Sequence, residues 1–82
     1  MKMNYKKGDL VRFRYGGRLA TVMCDVYSAR FIDATDREMI AHGMGHFAGT
    51  YGGAVDVCYT DTLQVRKKVK LGWLELVSAS EA

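Results

Sequence analysis

A chain of 82 residues, 49% hydrophobic and 26% charged, has room for one domain with one core and is too apolar to stay disordered. Two cysteines exclude a disulfide scaffold, and no apolar run is long enough to cross a bilayer as a helix. The net charge of +3 is unevenly spread: residues 1–18 carry six Lys/Arg against one acid, residues 19–65 two against six, and residues 66–82 four against two.

The chain has no proline and nine glycines, so its turns fall to Gly, Asp and Asn, which suits turn-rich β structure. Residues 1–7 lead into a strand rather than into the apolar region of a signal peptide. A soluble, unprocessed, cytoplasmic protein is therefore expected. Tyr5-Lys-Lys-Gly-Asp9 reads as a turn. Leu10-Val-Arg-Phe-Arg-Tyr15 is a half-buried strand with Val11, Phe13 and Tyr15 on the apolar face and Arg12 and Arg14 on the other. Gly16-Gly17 marks a hairpin turn, and residues 19–26 form a second strand with Ala20, Val22, Cys24 and Val26 as its apolar face.

Residues 28–53 break the pattern. Phe31-Ile32 suits a short strand, and Thr35-Asp-Arg-Glu38 has the form of a capping box that starts a helix of about two turns through His42, ended by Gly43 and Gly45. Residues 49–53 read as a returning loop. Next come Val55-Asp-Val-Cys-Tyr59, a turn at Asp61-Thr62, and Leu63-Gln-Val-Arg66, a hairpin whose expected apolar face is Val55, Val57, Tyr59, Leu63 and Val65. A link carrying Trp73 leads to the last strand, Leu74-Glu-Leu-Val77. Trp73, with Leu71 and Leu74, is expected to close one end of the core. Cys24 and Cys58, on opposite strand faces, are expected to stay reduced.

Gly8-Asp-Leu-Val11, the glycine turn, Ala20-Thr-Val22, Val55-Asp-Val57, Leu63-Gln-Val65 and Leu74-Glu-Leu-Val77 together resemble the small SH3-like barrels, including KOW-type barrels and many bacterial and phage proteins of this size. The resemblance covers residues 7–26 and 54–78. It implies an all-β, five-stranded SH3-like barrel over residues 1–82, with residues 28–53 as an inserted loop holding a short helix, and it implies no function. The chain is also distantly similar to the plasmid-borne SH3-like dihydrofolate reductase, an oligomeric pore enzyme. That likeness lies in Gly8-Asp9, Val11-Arg12 and Leu74-Glu75. Its pore motif falls on Leu63-Gln-Val-Arg66, where Gln64 matches and Arg66 stands in place of a tyrosine.

Groups that carry chemistry are sparse. His42 and His46 are spaced like a helical metal pair, but Gly43 and Gly45 interrupt the helix and no acid or thiol completes a ligand set, so neither metal nor cofactor is expected. Neither cysteine is paired with a base, and Asp33, Asp36 and Glu38 suit a helix start. The sequence therefore points to a non-enzymatic binding module that does not engage a membrane. Its partner would be a protein or a second copy of the chain, forming a homodimer through Phe31, Met39, Met44, Phe47 and Tyr51 in the insertion, which with Ile32 and Ile40 are more large apolar residues than a small barrel buries. The other fate of these residues is that the helix folds back over one mouth of the barrel. The alternative function is a nucleic-acid or ribosome-associated barrel, using Arg12, Arg14, Arg66, Lys67, Lys68 and Lys70 as one basic patch. Against it, no exposed aromatic pair for base stacking can be picked out from the sequence. The third is the pore reductase.

Overall fold

The computed structural model describes residues 5–80, apart from the side chain of Phe47. Six strands, β1 (Leu10–Phe13), β2 (Leu19–Val22), β3 (Tyr27–Phe31), β4 (Thr50–Tyr59), β5 (Val65–Lys70) and β6 (Leu74–Ser78), form one antiparallel sheet. One helix, α1 (Ala34–Ala41), and two 3-10 turns, Gly45–Phe47 and Leu71–Trp73, complete the chain.

β4 is the axis of the sheet. Ala54 lies between Tyr27 of β3 and Lys70 of β5, and Val57 lies between Val22 of β2 and Arg66 of β5. β5 thus runs along one edge of β4, while β2 and β3 follow each other along the opposite edge. Residues 23–26 bridge the break between them, where the partner strand advances only through Val55 and Asp56. β2 continues to β1, and β1 to β6. The described strands leave the sheet open at β5 and β6, so the fold is mostly β, as expected, with six strands in an open antiparallel sheet.

The core is built from the alternating apolar positions of these strands. Val11, Val22, Val55, Val57, Val69 and Leu74 are essentially sealed, with Phe13, Ala20 and Tyr59 around them. Each large buried side chain contributes about 1.5–3 kcal/mol relative to leaving it in water. Asp9, itself buried, ties the two ends of the chain together: its carboxylate accepts from the Lys6 N–H at 2.9 Å and the Ser80 N–H at 2.7 Å. Gly8, at φ 96°, lies so close to Ser80 that a Cβ would stand 2.8 Å from its hydroxyl. The Gly-Asp turn legible in the sequence is thus also a clasp on the C-terminal segment.

Several expectations are corrected. β1 ends at Phe13, so Tyr15 sits in the following turn, 89% exposed, instead of facing the core. The apolar face of β2 stops at Val22; Cys24 and Val26 are half-buried in the irregular bridge. Cys24 Sγ accepts from the Asp56 N–H at 3.4 Å, and both cysteines are free thiols. The β5 pairing is one residue out of phase with the reading from sequence: Leu63 and Val65 are exposed, Arg66 stands opposite buried Val57, and Val69 is the residue of β5 that enters the core. A one-residue slip exchanges the two faces of a strand.

The segment 28–53 holds most of β3 and the start of β4, with α1 and the Gly45–Phe47 turn between them. β3 pairs with the first half of β4 as a two-stranded arm, and residues 49–53, expected as a loop, belong mainly to β4. Gly53 is where it is because Leu71 packs over it: a Cβ there would lie 2.7 Å from Leu71 Cδ1. α1 sits at the tip of the arm. Its capping box is Asp33 with Asp36, two residues earlier than Thr35 with Glu38, since Asp33 has the extended backbone and accepts from the Asp36 N–H at 2.9 Å. Arg30 secures the tip by donating to the carbonyls of Gly45 (2.8 Å) and Ala48 (2.6 Å). α1 buries no residue and packs on the neighbouring 3-10 turn, so it does not cover the core as the fold-back alternative required. The protruding arm explains a radius of gyration of 14.5 Å, against about 12 Å for a compact chain of this length.

Candidate nucleic-acid interface

A concave surface lies where β5, the Leu71–Trp73 turn and the end of β3 meet. Trp73 was expected to seal the core, but Leu74 does so at 0% exposure while Trp73 remains 37% exposed. Its indole meets Phe31 edge-on, with ring centroids 6.1 Å apart. Phe31 lies over the bare backbone of β4, where a Cβ on Gly52 would touch its ring at 3.9 Å. Phe31 and Trp73 together make an aromatic floor beside β4.

Cations surround that floor. The Lys70 and Lys68 ammonium groups lie 5.1 Å and 5.8 Å from the centre of the Phe31 ring. The Arg66 guanidinium lies 5.7 Å from Trp73 and 5.4 Å from Phe13, and donates to the Tyr59 hydroxyl at 3.2 Å. Such contacts hold a cation at an aromatic face without neutralising it. Arg66, Lys67, Lys68, Lys70, Trp73 and Phe31 line a cavity of about 320 Å³, which Asp33 and Asp36 bound on the α1 side. A second cavity, of about 240 Å³, continues past Arg66 to Phe13 and exposed Tyr15. Arg66 and Trp73 belong to both, so the two form one basic and aromatic groove.

The two central lysines are placed by a β-bulge. Val55 pairs with Val69 and Val57 with Arg66, so Asp56 alone stands opposite both Lys67 and Lys68. Lys68 adopts φ 56°, a conformation that favours glycine. Its N–H is held by the Asp56 carboxylate and the Tyr27 hydroxyl, each at 3.0 Å, and the Tyr27 O–H donates to Asp56 at 2.6 Å. The Tyr27 hydrogen bond, then the Lys68 N–H, holds the Asp56 carboxyl below its usual range, and the bond to Asp56 raises the Tyr27 phenol.

The sign of the pH dependence follows from these directions. Stability that depends on depressed Asp56 is present above the ordinary carboxylate range and is lost as pH falls through the folded-state value. Stability that depends on raised Tyr27 is present below about pH 10 and is lost as pH rises through its folded-state value. We expect the Lys68 amide to stay protected from hydrogen exchange across neutral pH and to lose protection in acid before the Val57 and Val69 amides. Simultaneous loss at all three would show that the latch has no separate titration.

The residues singled out in the sequence are distributed as follows. Arg66, Lys67, Lys68 and Lys70 converge on the groove, and none makes a salt bridge to a described carboxylate. Arg12 and Arg14 do not line it, and Arg12 is engaged by Glu75 at 2.8 Å. The single patch of six is therefore corrected to four residues of β5. Phe31 belongs to the same groove, apart from the other insertion residues with which it was grouped. Met39 and Met44 lie at the arm tip, Tyr51 is 72% exposed along the arm, and the side chain of Phe47 is outside the described set. Gln64 stands in the tight turn before β5, next to Leu63 at φ 59°, with its carbonyl accepting from Tyr59. His42 ends α1, His46 lies in the next turn, and no group of three metal-ligating residues occurs among the described residues. Sequence reasoning missed Trp73, Phe13 and Tyr15 as groove residues. The only signal available was the proximity of Trp73 to a run of cations.

No protein-family model, curated protein or solved structure matches this chain. Among the described residues no helix is long and apolar enough to cross a membrane.

Proposed function

We propose that this protein is a non-enzymatic binding module of the small SH3-like type, and that its ligand is nucleic acid held in the β5 groove. The fold reading is supported by the neighbouring first and last strands and by β2 and β3 acting as one interrupted strand, which leaves five strand units. The functional reading rests on one observation above all: four cations of β5, none in a salt bridge to a described carboxylate, line one groove with half-buried Phe31 and partly exposed Trp73. Phosphates attract such cations, and bases stack on such rings.

Counterion release makes the test quantitative. With four phosphate contacts, the logarithm of the affinity for a fluorescent oligonucleotide should fall against the logarithm of salt with a slope of about −3, a loss of about 50-fold between about 50 and 200 mM. Anisotropy titrations would measure it. Absence of binding at low salt, or a flat salt dependence, would overturn the reading.

A second reading attaches to the arm, where Ile40, Met44 and Tyr51 are exposed and α1 buries nothing. These residues support self-association through the arm tip, the two copies covering each other's apolar side chains. A concentration-dependent dimer in sedimentation is expected, converted to a folded monomer by Met39→Gln with Met44→Gln. A wild-type monomer at high concentration would eliminate it.

A further inference from the structure

We infer that the groove accepts single-stranded rather than duplex nucleic acid, with phosphates along β5 and bases over Phe31 and Trp73. This rests on the nucleic-acid reading above and adds the class of strand. The charge layout carries it. The cations lie on the β5 side of the Phe31 ring, whereas Asp33 and Asp36 line the same cavity at the start of α1. Backbone N–H groups, of Asp33 first and then Gly49, hold the Asp36 carboxyl below its usual range, so it is an anion at neutral pH.

A single strand has one row of phosphates, which fits one row of cations. A duplex has two, and seating the first on β5 would bring the second toward the carboxylates. The floor points the same way. Phe31 and Trp73 offer ring surface to a ligand with unstacked bases, and a duplex keeps its base faces covered. Trp73 and Arg66 extend the aromatic and cationic track into the second cavity, whose far end is exposed Tyr15. The carboxylates on the far side then face base edges, which carry N–H donors that acidic side chains accept.

The test compares a labelled single-stranded oligonucleotide with the corresponding duplex at one low salt concentration, with poly-glutamate as competitor. The single strand should bind at least about tenfold more tightly. Trp73→Ala should lower single-strand affinity at least about fivefold, the smallest effect of losing one stacked base. Trp73→Phe, which restores a ring, should recover part of the loss. Asp33→Asn with Asp36→Asn keeps an oxygen at the helix cap and removes both charges, so it should raise duplex affinity and narrow the preference. Equal or tighter duplex binding, or single-strand affinity indifferent to Trp73→Ala and Phe31→Ala alike, would overturn the inference and leave the nucleic-acid reading standing. Binding of neither strand form would remove that reading as well. Displacement by poly-glutamate as effective as by the unlabelled strand would overturn both in favour of an acidic polypeptide.

Discussion

Lys67→Gln, Lys68→Gln and Lys70→Gln introduced together should abolish most nucleic-acid binding without unfolding the domain. All three side chains are exposed and none makes a salt bridge to a described carboxylate, so their charges contribute little to stability. Arg66 is left in place because it caps the Phe13, Tyr59 and Trp73 cluster. Reducing four phosphate contacts to one should flatten the salt slope from about −3 to about −0.7 and lower affinity at about 50 mM salt by two to three orders of magnitude, roughly. The same change at Arg12 and Arg14 should have a small effect, since Arg12 is engaged by Glu75 and both lie outside the groove. Anisotropy on the two variants side by side checks this. Equal losses would mean that overall charge, not the groove, drives binding.

Leu74→Ala should destabilise the fold at least as much as Trp73→Ala, although Leu74 is the smaller side chain of the two. Leu74 is fully buried, and its carbonyl accepts from the Tyr5 hydroxyl at 3.0 Å. Burial raises the Tyr5 phenol, so this bond keeps its proton through neutral pH. Truncating Leu74 should cost about 2–5 kcal/mol, a large part of the roughly 4–12 kcal/mol available to a domain of this size. Trp73→Ala removes a partly exposed ring from the groove wall and should cost about 2–4 kcal/mol. Urea melts followed by circular dichroism measure both. A larger loss at Trp73 would place the indole in the core and remove it from the groove.

These two residues also show how much was legible. The alternation at Val55, Val57 and Tyr59, the Gly-Asp turn, the glycine turn and the closing Leu74 strand follow from side-chain period and turn chemistry, and the structure has them. The apolar composition of the Leu71–Trp73 turn was legible too, but which of three large residues points inward depends on how the turn packs against Gly53, 18 residues from Leu71 and further still from the front of the chain. The phase of β5 was not legible because the turn, with Leu63 at φ 59°, sets it at Val65 and Arg66, and the bulge at Lys67 and Lys68 resets it so that Val69 enters the core. That bulge depends on a side chain of β4 and a hydroxyl of β3. Phase errors of this kind fall on functional sites here for a physical reason: the slip places Arg66 on the core side of the sheet, at the mouth, where a sequence pattern assigns an apolar residue.

Cations clustered in sequence were easier to find than their surroundings. Four of the six residues of the expected patch do converge, because three follow Arg66 within one strand. Phe31 joins them from 35 residues before Arg66 through the pairing of β3 with β4, and Tyr15 reaches the second cavity because β1 ends early. Neither placement is a local property. The arm residues illustrate the opposite limit. Their excess of apolar side chains was visible in the sequence, and the structure leaves much of that surface exposed on an arm that extends away from the core.

Trp73 is the single tryptophan of the chain, so emission excited selectively at tryptophan rather than at the five tyrosines reports on the groove wall. Adding an unlabelled single-stranded oligonucleotide at low salt should quench its emission saturably, with the same midpoint as anisotropy on the labelled strand, and added salt should reverse the quenching. Binding detected by anisotropy with unchanged Trp73 emission would place the ligand elsewhere on the protein and contradict the account.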